Sequence, residues 1–384
     1  MTTRTLQGLG VGIVVMIVAA WLFSGQETST SPERGRKVFP GLMSKINDIA
    51  TITVTAKNQT ATIARENNVW VVKEKGGYPA DVGMVRQLLL GLAELEILEP
   101  KTKNPELYDK LGLQEVTAED SLSRMVATKD VAGEILSEAI IGKRHPAKGD
   151  PGQDEIYIRR PGNPQTWLAI GNVSVEPMPG AWLDKSVYEV EPKRVKVAQI
   201  THPDGTTVEL EKEEPEDLDY QLVNIPKGAE IQSQFTLNNM VSTLAALTLE
   251  DVKPESEMPS KGKKVTTAVF ETFDGLEGNM KIWKDGEQHY VSVSTAFNPT
   301  LIWKHQSKEN EEAQKTEPKA EPASEEAGKE SDATKSEKPT IKPAVEVNAE
   351  VESINKKVAG WVYVIPKFRA DTLLKKPEDL IKKS

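Results

Sequence analysis

An apolar skeleton occurs twice in this chain. Val85, Leu88, Leu92, Ala93, Leu95 and Ile97 return as Leu237, Met240, Leu244, Ala245, Leu247 and Leu249, which implies two tandem units that each complete the same packing. The repeat extends upstream. Ile49, Ala50, Ile52 and Thr53 match Val197, Ala198, Ile200 and Thr201, and Trp70 with Val72 matches Tyr220 with Leu222. The spacing is 148 positions at Ile49 and 152 at Val85, a drift expected where loops accept insertions that cores do not.

Each copy opens with strand-like alternation, Ile52, Val54 and Ile63 in the first and Ile200, Val208 and Leu210 in the second. His202-Pro203-Asp204-Gly205-Thr206 places Asp-Gly between two such runs, a hairpin signal because Asp-Gly reaches positive φ cheaply. A helix-like stretch follows, behind the N-caps Asp81 and Ser233. It carries the shared apolar face from Val85 to Ile97 and from Leu237 to Leu249. Asn104-Pro105 then starts a short helix through Leu107, Tyr108 and Leu111, stopped by Gly112.

Strand cores follow at 139–142, 156–158 and 167–170 after the first copy. After the second they lie at 265–273, 280–283, 290–293 and 361–365, with Asp274-Gly275 and Asp285-Gly286 as turns. Many strands joined by short turns and only two or three helices predict an α+β protein, two tandem divergent β-rich modules with largely antiparallel sheets and a packed helix each.

From Leu9 to Phe23 no residue is charged, Arg4 precedes the run and polar Ser24 to Glu27 follow. Counted from Leu6 to Ser24 the segment approaches the ~20 residues that span a bilayer. A cleaved signal peptide is the competing reading, but no small-x-small triplet precedes Gln26 and no cysteine provides a lipoprotein site, which favours an uncleaved anchor. Arg4 on the cytoplasmic side puts the bulk of the chain across the membrane. The expected organisation is a cytoplasmic stub at 1–5, a transmembrane signal anchor at 6–24 and a linker at 25–45. The first module then occupies 46–190 and the second 191–305. Residues 306–348, rich in Glu, Lys, Ala, Ser, Thr and Pro, are expected to be a disordered insertion. Residues 349–384 supply the strand and tail that complete the second module.

The formal net charge of −10 disfavours general nucleic-acid binding, and zero cysteines exclude disulfides and thiolate chemistry. His145, His202, His289 and His305 show no ligand spacing. The carboxylates Glu211, Glu213, Glu214, Glu216, Asp217 and Asp219 read as a solvated face. No phosphate loop, nucleophile elbow or His-Glu-x-x-His occurs. Lys143-Arg144-His145 is a loop feature first and an anion contact second. Trp167, Trp182, Trp283, Trp303 and Trp361 are expected as core anchors, with the 177–183 loop the place where one is most exposed. The chain therefore offers no catalytic, cofactor or metal residues, and any ligand-binding residues stay unassigned.

Phe39-Pro40-Gly41-Leu42, Ile46-Asn47-Asp48-Ile49, Trp70-Val71-Val72, Tyr78-Pro79-Ala80-Asp81, the Leu-rich helix and Lys110-Leu111-Gly112-Leu113 together resemble the bacterial family known as domain of unknown function 4340. The resemblance covers most of the chain after the anchor. It implies an inner-membrane anchor, periplasmic repeated modules and a setting beside ABC-type permeases, with no catalytic residues to carry over. The expected function is a non-enzymatic auxiliary or scaffolding subunit of an envelope transport complex, with the inner membrane and an envelope protein as partners. The alternative is a periplasmic ligand-binding or hydrolytic module with its site in a cleft between the copies.

Overall fold

A computed structural model describes residues 32–303 and 341–382, apart from 148–150, 224, 227 and 259. The expected anchor at 6–24 lies outside them. Among the described residues no helix is long and apolar enough to cross a membrane. The chain divides into two compact units, one ending at Trp182 and the other beginning at Leu183.

The first unit carries β1 (Ile49–Ala56), β2 (Gln59–Glu66), β3 (Val69–Val72) and β4 (Tyr78–Pro79), then helix α1 (Val82–Glu94) and β5 (Glu96–Pro100). The short α2 (Tyr108–Leu111) and the strands β6 (Arg124–Asp130), β7 (Ile135–Pro146), β8 (Asp154–Arg159) and β9 (Thr166–Gly171) complete it. The nine strands form one sheet in the order β4-β3-β2-β1-β6-β7-β8-β9-β5.

The second unit begins with β10 (Ser186–Glu189), β11 (Val195–Thr201), β12 (Thr207–Glu211) and β13 (Gln221–Leu222). Helix α3 (Gln234–Ala245) leads to β14 (Ala246–Thr248), β15 (Asp251–Pro254), β16 (Val265–Thr272), β17 (Leu276–Asp285) and β18 (Gln288–Phe297). After the undescribed stretch come α4 (Ala344–Val358), β19 (Trp361–Ile365) and α5 (Lys367–Leu373). The main sheet runs β13-β12-β11-β16-β17-β18-β19-β15, and β10 pairs separately with β14.

Eight strands thus recur in the same order. In both units the chain stacks three strands outward, crosses through a helix to the far edge, and returns to the centre to meander back. The far-edge strand ends in a proline opposite a tryptophan in each: Pro100 faces Trp167 and Pro254 faces Trp361. Proline removes a ladder donor, so it fits an edge. All strand pairings among the described residues are antiparallel, as the alternation predicts.

Local chemistry explains the elements. The Asp81 carboxylate accepts from Met84 N at 3.1 Å and the Ser233 hydroxyl from Thr236 N at 3.3 Å, so both predicted caps form. Val85, Leu88 and Leu92 of α1, at helical spacing, are buried with Ile52, Val54 and Ile63 of the sheet. Gly91 lets α1 pass the Asn172 carbonyl, from which a Cβ would sit 2.2 Å away. The β2–β3 hairpin turns on Asn67 and Asn68, both at positive φ, the two-residue geometry that suits strand twist.

Four expectations need correction. The helix-like stretches stop early: α1 ends at Glu94 and α3 at Ala245. Leu95–Ile97 and Leu247–Leu249 are two apart, the strand period, and Ile97 and Leu247 lie in β5 and β14. Residues 25–45 are not all linker, because Val38, Phe39 and Leu42 are buried and Val38 N donates to the Leu95 carbonyl. The unit boundary falls before β10, not at 190, since β10 pairs within the second unit. The insertion ends before 348, because α4 starts at Ala344 and buries Val347, Val351, Ile354 and Val358 at helical spacing against β18. The segment 349–384 accordingly holds most of α4 and all of α5 as well as β19.

Candidate functional site

The first unit carries a notch of about 310 Å³ between the 3-10 turn before β1, the β2–β3 hairpin and the outer face of α1. Val82, Arg86 and Leu90 recur every four residues and therefore share one face of α1, while Val85 and Leu89 floor the notch beside it. Ile46 and Asn47 come from the 3-10 turn (Met43–Asp48). Arg65 and Trp70 stand opposite each other in the hairpin register. The Arg65 guanidinium lies 5.8 Å from the centroid of the Trp70 ring and donates to the Asn47 carbonyl at 3.0 Å, so it is held in place and half-buried. Arg86 is exposed, and among the described residues it has no ion pair. Val82 is 53 % and Leu90 37 % exposed.

An apolar floor with two guanidinium groups at its rim is suited to a chain segment that brings both an apolar side chain and a carboxylate. Arginine presents planar, weakly hydrated donors that pair with carboxylates at interfaces, and aromatic and arginine side chains dominate interface energetics. The sequence reading missed this notch. Its signal was the i, i+4, i+8 set Val82, Arg86, Leu90, apolar outside the core stripe and broken by one cation.

The residues weighed from sequence do not converge. His145 sits 3.6 Å from Glu155 and edge-on to Tyr157. His202 is buried with a ring nitrogen 3.1 Å from the Lys375 carbonyl. His289 is buried in the second unit, where burial first, and Lys284 next, push its pKa below the ordinary value. His305 lies outside the described residues. Among the described residues no three His, Asp or Glu side chains gather as a metal site. The acidic run surrounds an open, polar cleft of about 550 Å³; its loop binds itself through Glu214 N to Asp217 Oδ2 at 2.9 Å.

Lys143 donates to the Lys110 carbonyl, and Arg144 stands 3.8 Å from Asp154, at a bulge of β7. Trp167, Trp182 and Trp283 are core anchors. Trp182 is only 1 % exposed and its indole donates to the Glu176 carbonyl at 2.7 Å, so the 177–183 loop turns its aromatic inward. Trp303 and Trp361 are half-buried.

Lys212 and Arg194, two of the three cations buried among the described residues, escaped the sequence reading because their partners come together only in the fold. Lys212 donates to the Lys193, Pro215 and Asp217 carbonyls at 2.9, 3.1 and 3.2 Å, and its ammonium lies over the Tyr220 and Phe273 rings. Burial draws its pKa down. Arg194 is 2 % exposed and grips Asp274 with two bonds of 2.7 and 3.1 Å and Glu350 with one of 2.9 Å. Burial by itself lowers the Arg194 pKa, but its bonds to Glu350 and Asp274 outweigh this and hold it above the ordinary value. Thr272 donates to Asp274 at 2.6 Å, and Lys342 adds Nζ to Glu350 at 3.0 Å and its amide to Asp274 at 3.2 Å. The network fastens α4 to the β16–β17 turn. Its members are all paired with one another, the arrangement of a structural clamp.

No curated protein matches the chain. The profile of the family described as Domain of unknown function (DUF4340) matches residues 70–264, just over half of the chain and the span that holds α1, its caps and the second copy of the apolar skeleton; the chain belongs to that family.

Proposed function

We propose that this chain is a membrane-anchored extracytoplasmic protein without enzymatic activity, an auxiliary or scaffolding subunit of an envelope ABC-type transport complex in the bacterial inner membrane, with its bulk in the periplasm. The observation that carries a binding role is the notch on α1, where Val82 and Leu90 leave apolar surface exposed beside Trp70 and Arg86 has no ion pair among the described residues. A partially apolar patch with a central aromatic is what protein docking surfaces offer. The membrane reading rests on the uncharged run from Leu9 to Phe23 with Arg4 before it, and the transport setting on the family resemblance.

Membrane fractionation with protease accessibility, followed by affinity purification of the full chain from detergent extracts, tests the proposal. The expected result is a chain retained in alkali-washed membranes, digested only from the periplasmic side, and copurifying with a permease subunit. Recovery in the soluble cytosolic fraction, or purification free of any membrane protein, refutes it.

A further inference from the structure

In the second unit the corresponding helix positions are paired with the chain's own polar groups. Asn238 stands five residues after the cap Ser233, as Arg86 stands five after Asp81. Asn238 accepts from Tyr220 N at 3.1 Å and donates to the Asp219 carboxylate at 2.8 Å. Gln234, in the position of Val82, donates to the Tyr220 carbonyl at 2.8 Å. Tyr220 precedes the buried Leu222 by two residues, as Trp70 precedes the buried Val72. It is only 5 % exposed, and its hydroxyl lies 2.8 Å from the carbonyls of Pro192 and Val195, at the 3-10 turn that leads into β11. Tyr220 therefore holds the place of Trp70 beneath the 3-10 turn, and Asp219, just before it, brings a carboxylate to the helix position that Arg86 occupies in the first unit.

Loop length explains why the first notch stays open. The β12–β13 connection runs from Lys212 to Tyr220, whereas β2 and β3 are joined by Asn67 and Asn68 alone. Two residues cannot cover α1. The side chain at the Asn238 position is at the same time a cation, which exchanges a neutral carboxylate contact for a charged one.

We infer that the notch of the first unit receives an acidic segment of another protein that carries an aromatic or large apolar side chain. Its carboxylate pairs with Arg86 in the place where Asp219 meets Asn238, and its apolar side chain lies on Leu89 beside Trp70. This names the partner chemistry of the docking site proposed above and rests on that reading.

The test places a photoreactive amino acid at Leu90 of the full chain in living cells, with Val131 and Phe235, which are 86 % and 78 % exposed, as positions outside the notch. Captured fragments are sequenced by mass spectrometry. The expected fragment comes from another protein and contains Asp or Glu next to an aromatic or large apolar residue. Arg86→Glu lowers its yield roughly tenfold or more, as loss of a charged hydrogen bond does, and changing the captured carboxylate to Lys restores it. Because Arg86 is exposed, an unchanged melting curve confirms that Arg86→Glu folds. An unchanged yield in Arg86→Glu, or a captured fragment without a carboxylate, overturns the inference. So does a crosslink to phospholipid, to a second copy or to residues 304–340 of the same chain. Capture at Val131 or Phe235 with none at Leu90 ends the inference and leaves the docking function standing; capture of no protein at any position ends both.

Discussion

Asp274→Ala is the most informative perturbation of the second unit. It removes both bonds to the Arg194 guanidinium and the acceptor of Thr272 Oγ1 and Lys342 N. Asp274 and Arg194 are 1 % and 2 % exposed, so water does not replace what is lost, and Glu350, at 16 % exposure of its side chain, is left as the cation's one carboxylate. Breaking a buried pair from one side costs about 3–5 kcal/mol, chiefly because a charge is left uncompensated. For a unit of this size each kcal/mol moves the melting temperature by about 2–4 °C, which sets the expected drop near 10 °C. Calorimetry of the detergent-solubilised full chain resolves it as a shift of one transition while the other stays in place. The paired variant Arg194→Met with Asp274→Leu removes both charges together and is expected to recover most of the loss. A shift below about 1 kcal/mol for Asp274→Ala, or a double variant as unstable as the single one, would refute the clamp.

Replacing residues 304–340 by a short Gly-Ser linker is expected to leave the melting of the second unit unchanged or raise it by about 1 kcal/mol. Both ends are fastened at adjacent residues, Trp303 N on the Phe273 carbonyl and Lys342 N on Asp274, and a shorter closure costs less entropy; a drop of several degrees in calorimetry would contradict this. Acidification is expected to weaken the second unit through His289. Its folded pKa lies below the ordinary 6.5, and Lys284, Lys367 and Asp371 are the charged groups that act on it. The unfolded chain takes the proton first as pH falls, so the contribution is complete above about pH 6.5 and is lost as the pH drops through the folded value. Urea titrations at several pH values should show a flatter profile for His289→Gln; an identical slope would remove His289 as the cause.

Most of the architecture was legible because it depends on local rules. Strand alternation at Ile52 and Val54, the caps Asp81 and Ser233, and the Asp204-Gly205 and Asp285-Gly286 turns are all decided within a few residues of chain. The misread elements are those in which two periods share the same apolar residues. Leu95 and Ile97 continue the helical stripe on paper, yet hydrogen bonding with β9 makes Ile97 a strand residue. Helix α4 was hidden because its four buried residues stand in a polar stretch of Glu, Asn and Lys whose mean composition resembles the insertion before it.

The repeat by itself determined that two related units exist, that both are largely antiparallel and that each carries one helix behind a polar cap, because periodicity and turn chemistry act over short spans. Only the tertiary structure decided that the helix hands the chain to the far sheet edge, that Arg194 meets Asp274 and Glu350, and that Asn238 meets Asp219 while Arg86 at the matching position faces an open notch. These depend on which distant segments meet, and burial and charge pairing between them are fixed by three-dimensional contact that no local pattern encodes.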